Sequence, residues 1–133
     1  MKRIITLILL ISSTLLQAQH TLTINIDGLK NDKGQAIVSL LDSEGKMITY
    51  KKEKIVDGKS SLIFENLKPG TYGFKYCHDE NNDGNINYNF LGMPKEGFGY
   101  SNNAKVKMKE PPFSKTTFEI NGNVIQNCTI IYI

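Results

Sequence analysis

Apolar and polar residues alternate with a period of two along much of this chain, in short runs that recur about every ten residues. After the first eighteen positions no stretch shows the three-to-four spacing of an amphipathic helix, so the pattern predicts strands rather than helices. Eight are expected, over 20–26, 35–42, 47–56, 60–64, 70–78, 104–109, 115–120 and 124–133. The breaks carry turn chemistry: Asn31-Asp32-Lys33-Gly34, Ser43-Glu44-Gly45 and Asp57-Gly58 each supply a residue that tolerates positive φ. In 70–78 the alternation sets Tyr72, Phe74 and Tyr76 on one face and Gly73, Lys75 and Cys77 on the other. The aromatic face is expected to be the buried one. Eight short strands with one apolar face each predict an all-β, two-sheet sandwich.

Residues 1–18 depart from this rhythm. Lys2 and Arg3 precede an apolar run from Ile4 to Ile11, and a polar stretch leads to Ala18. That layout reads as a secretory signal peptide, which leaves 19–133 as one sandwich domain, exported to the periplasm or beyond the cell. Leu16 stands where a small residue is preferred, so the cleavage point is set only to within a few residues. No later apolar run reaches the roughly 20 residues that span a bilayer, so no transmembrane segment is expected in the mature chain. Loss of Lys2 and Arg3 takes the formal charge from +3 to about +1, which gives no reason to expect nucleic acid as a partner. Lys51, Lys52 and Lys54 cluster, but a solvated strand or turn accounts for them.

The segment from His78 to Asn103, HDENNDGNINYNFLGMPKEGFGYSNN, concentrates the candidate chemistry. Asp79, Asn81, Asp83, Asn85 and Asn87 provide oxygen donors at alternate positions around Gly84, as in loops that wrap calcium. The twelfth position, where such loops place a bidentate glutamate, is Phe90, so a distant carboxylate such as Glu96 or Glu53 is needed to complete the shell. The bland alternative is a turn whose Asn and Asp side chains cap their own backbone amides. With few charged ligands, affinity is expected near 10⁻⁴ to 10⁻³ M, as in extracellular modules.

Downstream, Phe90, Phe98 and Tyr100 stand among glycines, with Lys95, Glu96 and Asn102 nearby. They form a candidate surface for a carbohydrate, a small apolar ligand or an envelope protein; covering the end of the sandwich is the plainer use. Cys77 and Cys128 are a candidate disulfide in an oxidising compartment, although the predicted outward face of Cys77 weakens that pairing. His20 and His78 are the two histidines, and no G-x-S-x-G elbow is present. A non-enzymatic binding or accessory module is expected; a small envelope hydrolase using His78, or an assembly subunit joined through an edge strand, are the alternatives.

The segment F-E-N-L-K-P-G-T-Y-G-F resembles the strand-turn-strand signature of prealbumin-like and carboxypeptidase-regulatory-like sandwiches. The asparagine-rich loop, the G-M-P-K-E-G-F-G-Y-S-N element and Pro111-Pro112-Phe113 occur in the order typical of a family of small exported bacterial proteins, domain of unknown function family 2141. That resemblance covers nearly all of the mature chain and implies a secreted β-sandwich with no assigned activity. Thr116-Thr117 precedes Phe118 where the family pattern leads us to expect alanine. The transthyretin-like hydrolases share the architecture, but their Y-R-G-S ending is absent from Ile130-Ile131-Tyr132-Ile133.

Overall fold

The computed structural model describes residues 19–84 and 95–133. The expected signal peptide, and Asn85, Asn87 and Phe90, lie outside the described residues. Among these, the strands are β1 (His20–Asp27), β2 (Gln35–Leu41), β3 (Met47–Glu53), β4 (Ser60–Leu67), β5 (Gly70–Asp79), β6 (Phe98–Tyr100), β7 (Phe118–Ile120) and β8 (Val124–Thr129). One sheet has the order β4-β1-β8; the other runs β3-β2-β5-β6, with β7 pairing the far end of β5. Neighbours are antiparallel except β1 and β8, which run parallel, Leu22 opposite Val124 through Asp27 opposite Thr129. Among the described residues no helix is long and apolar enough to cross a membrane.

Alternation decides which side chains meet between the sheets. Leu22, Ile24 and Ile26 of β1 and Leu62 and Phe64 of β4 face Ala36, Val38 and Leu40 of β2 and Phe74 and Tyr76 of β5. These buried side chains supply most of the hydrophobic stabilisation, at about 1.5–3 kcal/mol for each large one. Phe74 packs edge-on to Phe118, ring centroids 5.7 Å apart. The strand-turn-strand signature forms the corner where the chain leaves one sheet at Leu67 and enters the other at Gly70. Asp57 and Gly58 both adopt positive φ between the bridged residues Val56 and Lys59. That is the two-residue hairpin turn their sequence predicts, and the Asp32 carboxylate accepts both of their backbone N–H groups.

Two expected strands differ. Residues 104–109 form no strand, and the third partner on the β5 edge is instead β6, only three residues long. The edge of β5 beside Lys75 to Cys77 is taken by β6, and that beside Gly70 to Tyr72 by β7. The A-K-V-K-M-K alternation therefore has no ladder to join. Towards 115–120, a 3-10 turn at Phe113–Lys115 replaces the first residues, and Phe113 lies against Gly73 and Gly45. Gly99 lets β6 lie over Tyr76: a Cβ there would stand 2.1 Å from the tyrosine ring.

Candidate functional site

The outer face of the five-stranded sheet ends at Asp79, the last residue of β5, which is opposite Gln35 of β2. Gln35 Nε2 donates to Asp79 Oδ2 at 3.3 Å, and Gly84 N–H donates to the same oxygen at 2.9 Å. Gly84 has φ +78°, so glycine is what lets the chain fold back onto the carboxylate. Asp79 is fully buried, and its other oxygen, Oδ1, has no hydrogen-bond partner among the described residues. Leaving a buried acceptor unmatched is costly, and more so for a charged one.

Two further carboxylates meet it. Asp79, Asp83 and Glu96 each bring one oxygen within 4.8 Å of the others. Asp79 and Glu96 are buried, and Asp83 is exposed at the rim. Calcium holds oxygens at 2.3–2.6 Å, so ligands on opposite sides of the ion stand about 5 Å apart; the triangle fits within that span. Asn81 behaves as a turn residue. Its Oδ1 accepts Asp83 N–H and its Nδ2 donates to Asp83 Oδ2, both at 3.2 Å. It thus braces Asp83. Glu53, the other distant candidate, caps Lys54 N–H and is not one of the three.

The base of the loop is bolted to the β1–β2 turn. A Cβ on Gly34 would stand 1.8 Å from the Asp79 carbonyl oxygen. Glu80 accepts from Asn31 Nδ2 at 3.0 Å and lies 3.4 Å from Lys30 Nζ. Partial burial raises the Glu80 carboxyl, but the Asn31 amide and the Lys30 ammonium outweigh it and hold the group below its ordinary value. His78, fully buried, completes the joint. Lys33 C=O can only accept, so His78 Nε2 carries the proton shared with it at 2.7 Å; Nδ1 is hydrogen-bonded to the Tyr132 hydroxyl at 2.9 Å. Tyr132 Oη in turn accepts Lys30 N–H.

Cys77 lies on the same outer face, opposite Phe98. Burial, then the charges of Asp79, Glu96 and Asp83, push its thiol up to about 12. Cys128 is in the core beneath Tyr76, raised to about 11 chiefly by burial. The expected candidate bridge is not made: both are buried free thiols, on opposite faces of the β2–β5 layer.

A family model for uncharacterized proteins conserved in bacteria (DUF2141) matches residues 24–127. The chain belongs to this family. The DUF2141 match runs from β1 into β8 and so takes in both sheets and the loop that carries the carboxylates. No curated protein matches the chain. Among solved structures it is similar to the crystal structure of a fimbrial assembly protein from Parabacteroides distasonis, with 13% identity and a TM-score of 0.40. The alignment covers 88% of this chain and 53% of that one, so this chain spans about half the neighbour's length.

Around the carboxylates, the described members of the aromatic segment divide. Lys95 is exposed and Tyr100 half-buried. Phe98 is buried; it packs edge-on to Tyr100 and exchanges backbone hydrogen bonds with Ile131, tying the chain's end to β6. Asn102, with φ +63°, spends its amide on the fold: Nδ2 donates to the Lys115 and Thr117 carbonyls, and Oδ1 accepts from Gln126. Asn103 does the same on β8, donating to Asn127 C=O and accepting Thr129 N–H, as a neighbouring strand would. Sequence reading had no signal for these bonds, because each spans 13 to 26 residues. It also missed a lysine-lined cleft beside residues 104–112, which its K-V-K-M-K alternation disguised as a strand.

Proposed function

We propose that this member of the DUF2141 family is an exported, non-enzymatic binding or accessory module whose β5–β6 connection is organised by a calcium ion held by Asp79, Asp83 and Glu96. The observation that carries the reading is Asp79: its buried Oδ1 is unmatched among the described residues, and one of its carboxylate oxygens lies within 4.8 Å of those of Asp83 and Glu96. A hard dication between them would satisfy that oxygen and offset the mutual repulsion of three acids. Asn81 braces the rim, and Gln35, Gly84 and the Gly34 turn hold Asp79 in place before any ion arrives. Such preorganisation favours binding because little must be ordered on association. Residues 1–18 support the exported setting.

The module's ligand-facing surface is the ground beside the ion, where Lys95 and Tyr100 stay accessible; a carbohydrate, a small apolar ligand or an envelope protein fits that chemistry. The hydrolase alternative needs His78 as a base. Both its ring nitrogens are engaged in a buried joint, which favours the binding reading.

Calorimetric titration of the chelated, purified chain tests this. Saturable calcium binding near 10⁻⁴ to 10⁻³ M is expected, weakened about tenfold or more by Asp83→Asn and by Glu96→Gln. No saturable heat up to 10 mM calcium, or binding indifferent to both substitutions, would overturn it.

A further inference from the structure

Residues 104–112 leave the sheet edge without joining any strand, and they wall a cleft of about 560 Å³. Its lining includes Lys105, Lys107, Lys109 and Lys115 over a floor of Pro111 and Pro112. Its one acid, Glu110, is paired with Lys75, and among the described residues none of the four lysines is in an ion pair. A second cleft, about 550 Å³, lies against the same segment and shares Lys105 and Lys107 with the first. Charge is thus sorted among the described residues: three acids converge at one end of β5, and four lysines without an ion pair border the clefts elsewhere. Like charges gathered in a concavity reinforce one another's field and draw counter-charge into it.

We propose that this groove binds a linear polyanion, specifically an acidic polysaccharide carrying a carboxylate on each repeat. Two neighbouring clefts suit an extended chain better than a single small anion, because Lys105 and Lys107 border both. No aromatic side chain lines the first cleft, and the one at the second, Tyr76, is buried with its hydroxyl on the Thr129 carbonyl, so neither offers the stacking platform that single-stranded nucleic acid needs. An acidic peptide adding itself as a strand would need an open ladder, and 104–112 offers none. What remains is charge-led capture of a flexible polymer by mobile lysine heads, which is the ordinary physics of acidic glycan binding. This site is separate from the calcium site and does not depend on it.

The test is binding of the purified chain to immobilised polygalacturonate, with neutral dextran, poly-glutamate and single-stranded DNA as parallel arms. Retention on polygalacturonate alone is expected, falling about tenfold between 0.02 and 0.2 M salt as the screening length shrinks. The triple variant Lys105→Gln, Lys107→Gln, Lys109→Gln should lose about tenfold, given three exposed charges of modest individual worth. A second triple variant, Lys46→Gln, Lys54→Gln, Lys68→Gln, removes the same charge elsewhere and should bind like the parent. Equal loss in both triple variants, or binding to DNA or poly-glutamate as tight as to polygalacturonate, would overturn the proposal by reducing it to net charge. No retention on polygalacturonate at low salt would overturn it outright.

Discussion

Asp79→Asn should act with opposite sign in the absence and presence of calcium. Asparagine keeps the shape of the side chain, and its carbonyl oxygen can take over the bonds from Gln35 Nε2 and Gly84 N–H. Its amide then points at Asp83 and Glu96 as a donor, where the parent presents a third acceptor. An unsatisfied buried polar group costs about 1–3 kcal/mol, so the substitution should stabilise the chelated protein by a similar amount. With 10 mM calcium the balance reverses. A dissociation constant of 10⁻⁴ to 10⁻³ M stabilises the parent by about 1.4–2.7 kcal/mol, and the variant forgoes most of this. For a domain of this size that is a rise in midpoint of roughly 5–10 °C for the parent. Differential scanning calorimetry in chelator and in calcium reads all four values. If Asp79→Asn melts lower than the parent in chelator, and the parent ignores calcium, the unmatched oxygen is not a metal ligand and the reasoning fails.

Two further outcomes follow from the geometry. Asn103→Ala removes two hydrogen bonds to β8 and places a Cβ-bearing residue at φ +48° without an asparagine's compensation; a loss of about 2 kcal/mol is expected from urea midpoints, and a change under 0.5 kcal/mol would refute the clamp. The buried thiols set an alkaline limit: their folded values, about 12 for Cys77 and 11 for Cys128, exceed the ordinary 9.0, so the stability they contribute is intact below pH 9 and drains as pH rises towards the folded values. The slope should be up to about 1.4 kcal/mol per pH unit per thiol, and replacing both with alanine should flatten the midpoint-versus-pH curve between 9 and 11.

Much of the fold was legible because it rests on alternation. β1, β2 and β5 each bury the residues their period of two designates, and the turns at Gly34, Gly45 and Asp57-Gly58 use the positive φ their sequence advertises. Alternation says nothing about whether a partner edge is open. That is why 104–109 reads as a strand and is not one, while Phe98–Tyr100, broken by Gly99, reads as a loop and is paired. The site divides the same way. The local oxygen spacing exposed Asp79 and Asp83, and the missing twelfth-position glutamate said that a remote carboxylate was required. Only three-dimensional closure selects Glu96, seventeen positions from Asp79, over Glu53. The burial of Asp79, the feature that turns a polar loop into a candidate metal centre, depends on Gly34 and Gln35 from another part of the chain.

The parallel pairing of β1 with β8 has a consequence for how the molecule is made. The first strand lies between β4 and the last strand, and its contact with Asn127 crosses 102 residues of sequence. A chain emerging vectorially from a ribosome can form the β1–β4 ladder midway but leaves the other edge of β1 bare until residues 124–129 arrive. The residues after them bring Tyr132, the hydroxyl that fixes His78, and Ile131, which clasps Phe98. Native structure therefore waits on residues 124–132, and such long-range closure is slow on the folding timescale. A premature stop after residue 123 would yield a protein containing every candidate ligand of the calcium loop but lacking the Tyr132 hydroxyl and the Ile131 clasp that brace the loop's base from its far side.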